Sequence, residues 1–344
     1  MRAWAREMLP ALAAVGLALA VGAVIVWASG ASPVLAFHAL VEGAFGSRDS
    51  LSEVAVKSCP LLFTGLAVVI AFRAGVWNIG AEGQLLVGAA AIAFVAMYIA
   101  PSLPNFLALP IGLVAGAAAG AAWAGLAAVL KVRRGVNEVI ATIMLNFVAS
   151  ALLSYLVQGP LMEASGRYPQ SEALPPHMLL PRFAPYRLHA GLMLAVMAAV
   201  LAQVFLFRTR WGFELRAAGG NPVAARLAGI DVGRTIVLAL LLSGALAGLA
   251  GAVEVAGVTR RVFERFSPGW GFTAIAVGLL ARLSPLGAVI AAAFFGALDA
   301  GSNSMQRVAG VSSVLVQIIQ GCVILFLVAW RRGAALFSFR ESRP

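Results

Sequence analysis

Residues 64–89 read TGLAVVIAFRAGVWNIGAEGQLLVGA, and this stretch decides how the chain is organised. Two apolar runs flank a polar interruption that contains Asn78, Glu82 and Gln84. Neither run alternates between apolar and polar residues as a membrane strand does. Polar groups between such runs are costly unless they are buried among helices or line a water-filled path. The stretch therefore predicts two membrane helices with a candidate functional site between them.

The composition of the whole chain places it in a lipid bilayer. Hydrophobic residues make up 61% of the sequence and charged residues 11%, whereas soluble domains have roughly 45–50% and 25%. Helices are the remaining way to satisfy the backbone in lipid, because the pattern of a barrel is missing. Cys59 and Cys322 lie in or beside apolar runs, so neither a disulfide nor a metal site is predicted. The predicted fold class is all-α, a bundle of membrane helices.

Ten apolar runs give about ten predicted transmembrane helices. The eighth run is short for a full crossing, and Ser284 and Pro285 interrupt the chain after it. For residues 271–300, a tilted helix and a re-entrant pair are both open. The runs lie at 9–28, 54–72, 79–100, 104–130, 137–157, 188–207, 235–257, 271–281, 285–300 and 311–330.

Basic residues set the predicted orientation of these runs. The net charge is +11, and the Lys and Arg residues fall mainly between the runs, where they act as topology signals and lipid-headgroup contacts rather than as a nucleic-acid site. Alternating the runs from a cytoplasmic amino terminus puts sixteen of the 25 basic residues inside, which predicts both termini in the cytoplasm. The sixteen are Arg2, Arg6, Arg73, Lys131, Arg133, Arg134, Arg208, Arg210, Arg216, Arg226, Arg234, Arg282, Arg331, Arg332, Arg340 and Arg343.

Two polar connections are long enough to have structure of their own. The outer one, 158–188, carries six prolines that forbid a continuous helix and predict an ordered but irregular cap. The inner one, 208–234, contains a helix start at Asn221-Pro222 and a helix stop at Gly229. So short a helix is marginal alone, so we expect it to dock on a partner or to lie on the headgroups. Its apolar stripe would be Val223, Leu227 and Ile230.

Glycines recur along two of the runs, where they would let helix backbones approach closely. A weak similarity between residues 64–90 and 271–296 suggests an inverted repeat of the kind that transporters contain. The glycines are Gly112, Gly116, Gly120 and Gly125 in one run, and Gly244, Gly248 and Gly251 in the other.

The polar residues of the first stretch also have a purely structural interpretation. Asn78 would cap the third membrane helix, and Glu82 would lie in its first turn, where a carboxylate interacts favourably with the helix dipole. Capping a helix and lining a path are compatible, so the sequence leaves both open.

Three segments resemble a single family. Residues 64–89, quoted above, resemble the inner-membrane permeases of bacterial ABC importers in the branched-chain amino acid and simple sugar group, and particularly those for nucleosides. Residues 134–146, RGVNEVIATIMLN, look like the nucleoside branch, of guanosine or purine type, more than the sugar or amino acid branches. Residues 168–171, YPQS, are similar to the outer loop of that branch.

The resemblance implies a type II ABC importer fold, with residues 1–344 as one transmembrane permease domain in the bacterial inner membrane. It implies nucleoside transport by alternating access. ATP and Mg would be bound by separate ATPase subunits, so this chain would bind no cofactor and would not be an enzyme. A second permease, homologous or identical, and a periplasmic or lipoprotein substrate-binding protein would complete the importer.

The resemblance also implies roles for particular residues. The coupling segment 208–234 would meet the ATPase through Gly219, Asn221, Ala225, Arg226, Leu227, Gly229 and Ile230. For a neutral heterocyclic substrate we expect a path of amides, hydroxyls and small residues, with the carboxylates organising neighbouring helices. The candidates for this translocation path are Asn78, Glu82, Gln84, Asn137, Glu138, Thr142 and Asn146.

Other classes of transporter are open. A simple sugar or branched-chain amino acid permease of the same superfamily is the main alternative. An ion-coupled secondary transporter would favour carboxylates in the centre of spans, whereas Glu254 and Asp299 lie near predicted outer helix ends, where hydration would explain them. The sequence lacks a Gly-x-x-x-x-Gly-Lys-Ser/Thr phosphate loop, so it does not predict ATP hydrolysis by this chain.

Overall fold

The structure is a computed structural model that describes the backbone of residues 2–341 and the side chains of residues 13–326 and 329. Within this part of the chain, the regular structure is helical and β-contacts are limited to isolated bridges. The predicted all-α class is therefore confirmed. Of the basic residues used for orientation, Arg343 and the side chains of Arg2, Arg6, Arg331, Arg332 and Arg340 lie outside the described residues.

Thirteen α-helices run through residues 2–341. A π-helical turn, Val95–Ile99, and a 3₁₀ turn, Ala100–Ser102, extend the fourth helix, and a π-helical turn, Val255–Thr259, extends the tenth. The helices are α1 (Arg2–Ala28), α2 (Pro33–Phe45), α3 (Arg48–Arg73), α4 (Ala81–Phe94), α5 (Asn105–Arg134), α6 (Glu138–Gln158), α7 (Gly191–Arg208), α8 (Arg210–Gly220), α9 (Pro222–Leu227), α10 (Val232–Glu254), α11 (Trp270–Leu280), α12 (Pro285–Ala309) and α13 (Val314–Glu341).

Seven helical segments of the described chain are long and apolar enough to cross a membrane. They coincide with seven of the ten predicted runs, and the first, eighth and tenth runs coincide with shorter apolar stretches. One short apolar helix, α2, was not predicted. The seven segments are Arg48–Arg73, Ala81–Ser102, Asn105–Arg134, Glu138–Gln158, Gly191–Arg208, Val232–Thr259 and Pro285–Ala309.

The eighth run forms only a half-length helix. α11 has 11 residues, which gives it a length of roughly 16 Å at 1.5 Å per residue. The hydrocarbon core is about 30 Å thick, so α11 alone is too short to cross it at any tilt. Of the two alternatives for this run, the single tilted helix that crosses the whole membrane is therefore excluded.

The chain divides into two compact units. Residues 58–292 form one unit, and residues 1–57 with 293–344 form the other, so α3 and α12 each contribute to both. In the second of these units, a Cβ at Gly22 of α1 would lie 2.8 Å from the side chain of Ile319 of α13. Lys57 Nζ lies 3.3 Å from Asp299 Oδ2. Asp299 therefore has an ion-pair partner, where the sequence predicted hydration alone.

The core of the unit formed by residues 58–292 is a close packing of α10 against α4 and α5. A Cβ added to Gly88 would collide with the backbone of Gly248, and one added to Gly120 would collide with the backbone of Gly244. The predicted close approach of helix backbones is confirmed at most of the glycines, whereas Gly112 and Gly125 face the side chains of Ile92 and Leu241. Dispersion contacts over such surfaces hold helices together where lipid supplies no hydrophobic drive.

Two connections of this unit are held in place by hydrogen bonds. The predicted outer connection is an ordered, irregular segment, because Ser171 N–H donates to the Val262 carbonyl at 2.7 Å and Leu180 N–H donates to the Ala256 carbonyl at 3.0 Å. At the end of α3, Arg73 Nε donates to the Leu283 carbonyl in the connection after α11, at 2.7 Å.

Candidate translocation site

The non-helical segment 74–80, between α3 and α4, is the base of the candidate site. α3 ends at Arg73 and α4 begins at Ala81, with Gly80 as its N-cap residue. Gly75 has a φ of 73°, a left-handed conformation that favours glycine. The N–H groups of Ala74, Gly75 and Val76 still bond to carbonyls of α3, whereas the buried backbone groups beyond them must bond to side chains.

Asn78, Gln84 and Ser243 form a buried hydrogen-bonded group that ties this segment to α10. Asn78 Nδ2 donates to Ser243 Oγ at 2.8 Å and to Gln84 Oε1 at 3.0 Å. Asn78 Oδ1 accepts from the Gly80 N–H at 2.8 Å, and Ser243 Oγ donates to the Ala67 carbonyl at 2.7 Å. Asn78 and Gln84 are each 1% exposed. The prediction that Asn78 caps α4 is wrong, because Gly80 is the N-cap and the Asn78 amide is directed to α10.

Thr142 and Asn146 of α6 hold the other side of the segment. Ile79 N–H donates to Thr142 Oγ1 at 3.2 Å, and Asn146 Nδ2 donates to the Ile79 carbonyl at 2.9 Å. Gly83 N–H donates to Asn146 Oδ1 at 2.9 Å. Both ends of the Asn146 amide are thus used to satisfy the backbone where α4 begins.

Asn137 and Glu138 lie at the start of α6, away from this group. Asn137 is exposed and caps the helix by accepting from the Val139 N–H at 2.9 Å. Glu138 Oε2 lies 2.6 Å from Lys131 Nζ, and Glu138 Oε1 accepts from the Trp77 N–H at 3.5 Å. These contacts join the ends of α5 and α6 to segment 74–80.

Glu82 connects the starts of two helices. It lies in the first turn of α4, as predicted, and it is 7% exposed. The Gly271 N–H of α11 donates to Glu82 Oε2 at 2.7 Å, and the Ser267 hydroxyl also bonds to this carboxylate. A carboxylate at a helix amino terminus is stabilised by the partial positive charge there. The geometry agrees with the expectation that Glu82 organises neighbouring helices.

A cavity of about 560 Å³ opens beside Glu82, between α4, α6 and the segment 264–272. Of the predicted path residues, Glu82 and Asn146 line it. Asn78, Gln84, Asn137, Glu138 and Thr142 do not, so a role for them in the path stays a prediction. The cavity is otherwise lined by Leu86, Phe147, Ser150, Leu153, Ser154, Glu264, Arg265, Phe266, Ser267, Pro268 and Phe272.

Glu264 is the second carboxylate of the cavity. The Ser154 hydroxyl and the Gln158 amide both donate to Glu264 Oε1. These two hydrogen bonds lower the pKa of Glu264 below its ordinary value, and the charge of Arg265 adds to the effect. Glu264 therefore carries its charge at neutral pH, and its Oε1 atom accepts both of these hydrogen bonds.

Sequence reasoning missed several residues of this site. Ser243 bonds to Asn78, and its only signal was a lone hydroxyl within the apolar run 235–257. Glu264 and Ser267 fall in a connection between two predicted runs, where polar residues are unremarkable. Their position beside α6 depends on the path of the connection, which local sequence does not encode.

The predicted coupling segment contains two helices rather than one. α9 begins as predicted, with Asn221 accepting from the Val223 and Ala224 N–H groups at 3.0 Å each. It ends at Leu227, and Gly229 follows with a φ of 81°, in agreement with the predicted stop. The preceding helix, α8, was not predicted.

α9 exposes most of its surface. Leu227 is 87% exposed and Val223 is 62% exposed, so two residues of the predicted apolar stripe are uncovered. Ile230 instead packs on a small cluster of Ala218, Ala225 and Val232. Arg226 is exposed beside Leu227.

Gly219, at the end of α8, touches the base of the candidate site. A Cβ added to Gly219 would collide with the Arg73 carbonyl and would lie 2.7 Å from the Ala74 carbonyl carbon and the Gly75 nitrogen. The coupling segment therefore meets segment 74–80 backbone to backbone.

Among the described residues, no group of three His, Cys, Asp or Glu side chains could hold a metal ion. The polar groups that line the cavity are the amide of Asn146, the hydroxyls of three serines and the charged side chains of Glu82, Glu264 and Arg265.

Comparison with known proteins gives the family. The family described as "Branched-chain amino acid transport system / permease component" matches residues 50–328. The glucose ABC transporter permease protein TsgB13 of Haloferax volcanii is 42% identical over 339 residues, covering 95% of this chain and 88% of the relative. The guanosine ABC transporter permease protein NupP of Bacillus subtilis is 38% identical, covering 94% and 93%.

A third relative has a similar extent. The nucleoside ABC transporter permease protein NupB of Lactococcus lactis is 30% identical over 335 residues, covering 94% of this chain and 91% of the relative. All three relatives are transporter components rather than enzymes, and each match extends over nearly the whole chain. The chain described here is therefore a multi-pass membrane protein that belongs to the family of branched-chain amino acid transport system permease components, as an ABC transporter permease.

Proposed function

We propose that this chain is the permease subunit of an ATP-driven importer that moves nucleosides across the bacterial inner membrane by alternating access. The observation that carries the proposal is the cavity of about 560 Å³ between α4, α6 and residues 264–272. Its volume falls within the range of roughly 300–1,000 Å³ that is typical of small-molecule sites. We take this cavity as this chain's share of the translocation path.

The lining of the cavity favours a planar, uncharged substrate. Phe147, Phe266 and Phe272 contribute aromatic side chains, on which a nucleobase can stack. Glu82 and Glu264 each accept hydrogen bonds from protein donors, and Arg265 adds a positive charge to the lining that partly offsets theirs. The names of two relatives, a guanosine permease and a nucleoside permease, support the same substrate class.

A sugar is the second candidate substrate. It is favoured by the 42% identity to a glucose permease and by the hydroxyl groups of Ser150 and Ser154 in the cavity. The deciding experiment is uptake of labelled guanosine and of labelled glucose by cells that make the complete transporter, compared with cells that lack this permease. We expect permease-dependent uptake of guanosine that excess glucose does not reduce. If only the uptake of glucose depends on the permease, the substrate is a sugar and the proposed nucleoside is wrong.

We propose the partners that such an importer needs. Two ATPase subunits would bind ATP and Mg, a second permease would complete the path, and a periplasmic or lipoprotein binding protein would deliver the substrate. Residues 1–344 would act as one permease domain, with segment 208–234 and both termini on the cytoplasmic side. The excess of basic residues on that side supports this orientation.

The exposed apolar residues of α9 support an ATPase docking site. Replacing Leu227 with Asp would place a charge on this surface, and burying an unpaired charge at an interface costs about 2–5 kcal/mol. We expect the ATPase to be lost from the purified Leu227→Asp complex, whereas Tyr168→Asp, a change at a 64% exposed residue of the outer connection, should retain it. Equal membrane insertion of both variants is the control. Retention of the ATPase by Leu227→Asp would contradict the docking site.

A further inference from the structure

We propose that α11 is a movable wall of the cavity and that Gly219 drives it through Gly75, with Arg73 and Glu82 as positioning residues that hold the two ends of α11. This inference rests on the proposed function. It assigns to segment 73–82 the task of transmitting ATPase movements to the substrate cavity.

α11 is attached to the two ends of one short segment. At its amino end, the Gly271 N–H donates to Glu82 Oε2 at 2.7 Å. Just beyond its carboxyl end, the Leu283 carbonyl accepts from Arg73 Nε at 2.7 Å. Glu82 and Arg73 lie on either side of the non-helical residues 74–80. A displacement of this segment therefore acts on α11 at both of its ends.

The middle of α11 packs tightly along α3. A Cβ added to Gly65 of α3 would lie 2.6 Å from Val277 Cγ1, and one added to Gly278 of α11 would lie 2.8 Å from Val68 Cγ1. Interiors packed this closely shift as units rather than deform continuously. The end of α3 and α11 should therefore move together.

The coupling segment reaches this unit through a contact between backbones. The space at Gly219 is filled by the Arg73 carbonyl and the Gly75 backbone. No side chain separates the two segments, so no rotamer change can absorb a push. By contrast, a Cβ added to the neighbouring Gly220 would meet nothing within 4 Å.

The other end of this chain of contacts is the cavity itself. Glu82 and Phe272 both line it, and they flank the hydrogen bond to Gly271. A movement of α11 would therefore change the width of the cavity between Phe272 and α6. α11 would then have two positions, one with a wider and one with a narrower cavity, and alternating access requires an element of this kind.

The test is a pair of matched variants, Gly219→Ala and Gly220→Ala, each assembled with the ATPase subunits and the second permease in vesicles. The measured quantity is the amount of substrate taken up per ATP hydrolysed. An added methyl group at Gly219 overpacks the contact, so we expect this ratio to fall roughly tenfold or more. The same methyl group at Gly220 should leave the ratio unchanged. A defect in insertion would instead reduce the amount of complex recovered and leave the ratio of the remainder intact.

A second variant covers the case in which Gly219→Ala does not assemble. Arg73→Met keeps an unbranched chain as long as the stem of the arginine but removes the guanidinium that donates to Leu283, and it should also lower uptake per ATP. The inference would be overturned if Gly219→Ala and Arg73→Met, where they assemble, both had a normal ratio of uptake to ATP hydrolysis. It would also be overturned if this ratio fell as much in Gly220→Ala as in Gly219→Ala. If the unmodified complex shows no ATP-driven uptake of any tested solute, the proposed function fails instead.

Discussion

The starts of α4 and α11 are alike in position and opposite in chemistry. Each helix follows a non-helical segment and has a glycine as its N-cap residue, Gly80 for α4 and Gly269 for α11. The start of α4 is held by neutral groups, the amide of Asn146 and the hydroxyl of Thr142. The start of α11 is held by the carboxylate of Glu82 and by Ser267. Neutral side chains of α6 bond to the start of α4, whereas the start of α11 is bonded to α4 by the charged residue Glu82 and packs closely on its backbone.

This difference suggests a division of tasks. The groups around α4 belong to the packed interior, where unpaired amides would destabilise the protein. The bond between Glu82 and α11 joins two helices at the wall of the cavity. Changes at α4 should therefore act mainly on stability, and changes at α11 mainly on transport.

The largest effect is expected for Asn146→Leu. This change leaves the Gly83 N–H and the Ile79 carbonyl without partners, at a cost of about 1–3 kcal/mol each. We expect the midpoint of thermal unfolding of the solubilised permease to fall by roughly 4 °C or more. The matched control is Asn137→Leu on the same helix, which removes only an exposed cap and should shift the midpoint less. If the midpoint of thermal unfolding fell equally in the two variants, the buried amide of Asn146 would not stabilise the protein more than the exposed amide of Asn137.

An intermediate effect is expected for Glu82→Ala. The Gly271 N–H loses its acceptor, at a cost of about 1–3 kcal/mol, while the hydrogen bonds around the start of α4 remain. We expect normal insertion and an uptake rate reduced roughly tenfold. Glu82→Gln retains an oxygen acceptor and should restore part of the rate. Full uptake by the alanine variant would show that Glu82 has only a structural role in the first turn of α4.

The smallest effect is expected for Ser267→Ala. Ser267 Oγ accepts from the Gly269 and Trp270 N–H groups at 3.1 and 3.3 Å, which are long bonds, and its hydroxyl also bonds to Glu82, whose own bond to Gly271 remains in this variant. Their loss should cost about 0.5–1.5 kcal/mol and slow uptake by a few-fold at most. Ser150→Ala, at another hydroxyl of the cavity, serves for comparison. A loss as severe as that of Glu82→Ala would show that the hydroxyl, rather than the carboxylate, holds α11.

The sequence predicted those features that depend on neighbouring residues. Asn221 and Gly229 define the helix α9 because capping and chain reversal are local properties. The glycines of α5 and α10 indicated close backbone contact because their spacing follows the helix period.

Features that depend on distant partners were not predictable from the sequence. Asn78 was assigned to a cap because its true partner, Ser243, lies on α10, far along the chain. The short helix α2 was missed because His38 and Glu42 dilute its apolar pattern. The cavity combines α4, α6 and a polar connection, and no local pattern indicates that these meet.

The packing of glycines between α10 and the pair α4 and α5 has a consequence for how the protein is made. Gly88 and Gly120 leave the ribosome well before Gly248, the residue whose backbone fills the space beside them. At typical rates of synthesis, the delay is on the order of ten seconds. During that time the early helices are in the membrane with a bare backbone groove. Whatever occupies this groove first, a lipid chain or an insertion factor, must leave before α10 can enter, so the packing of α4, α5 and α10 forms only after α10 has been made.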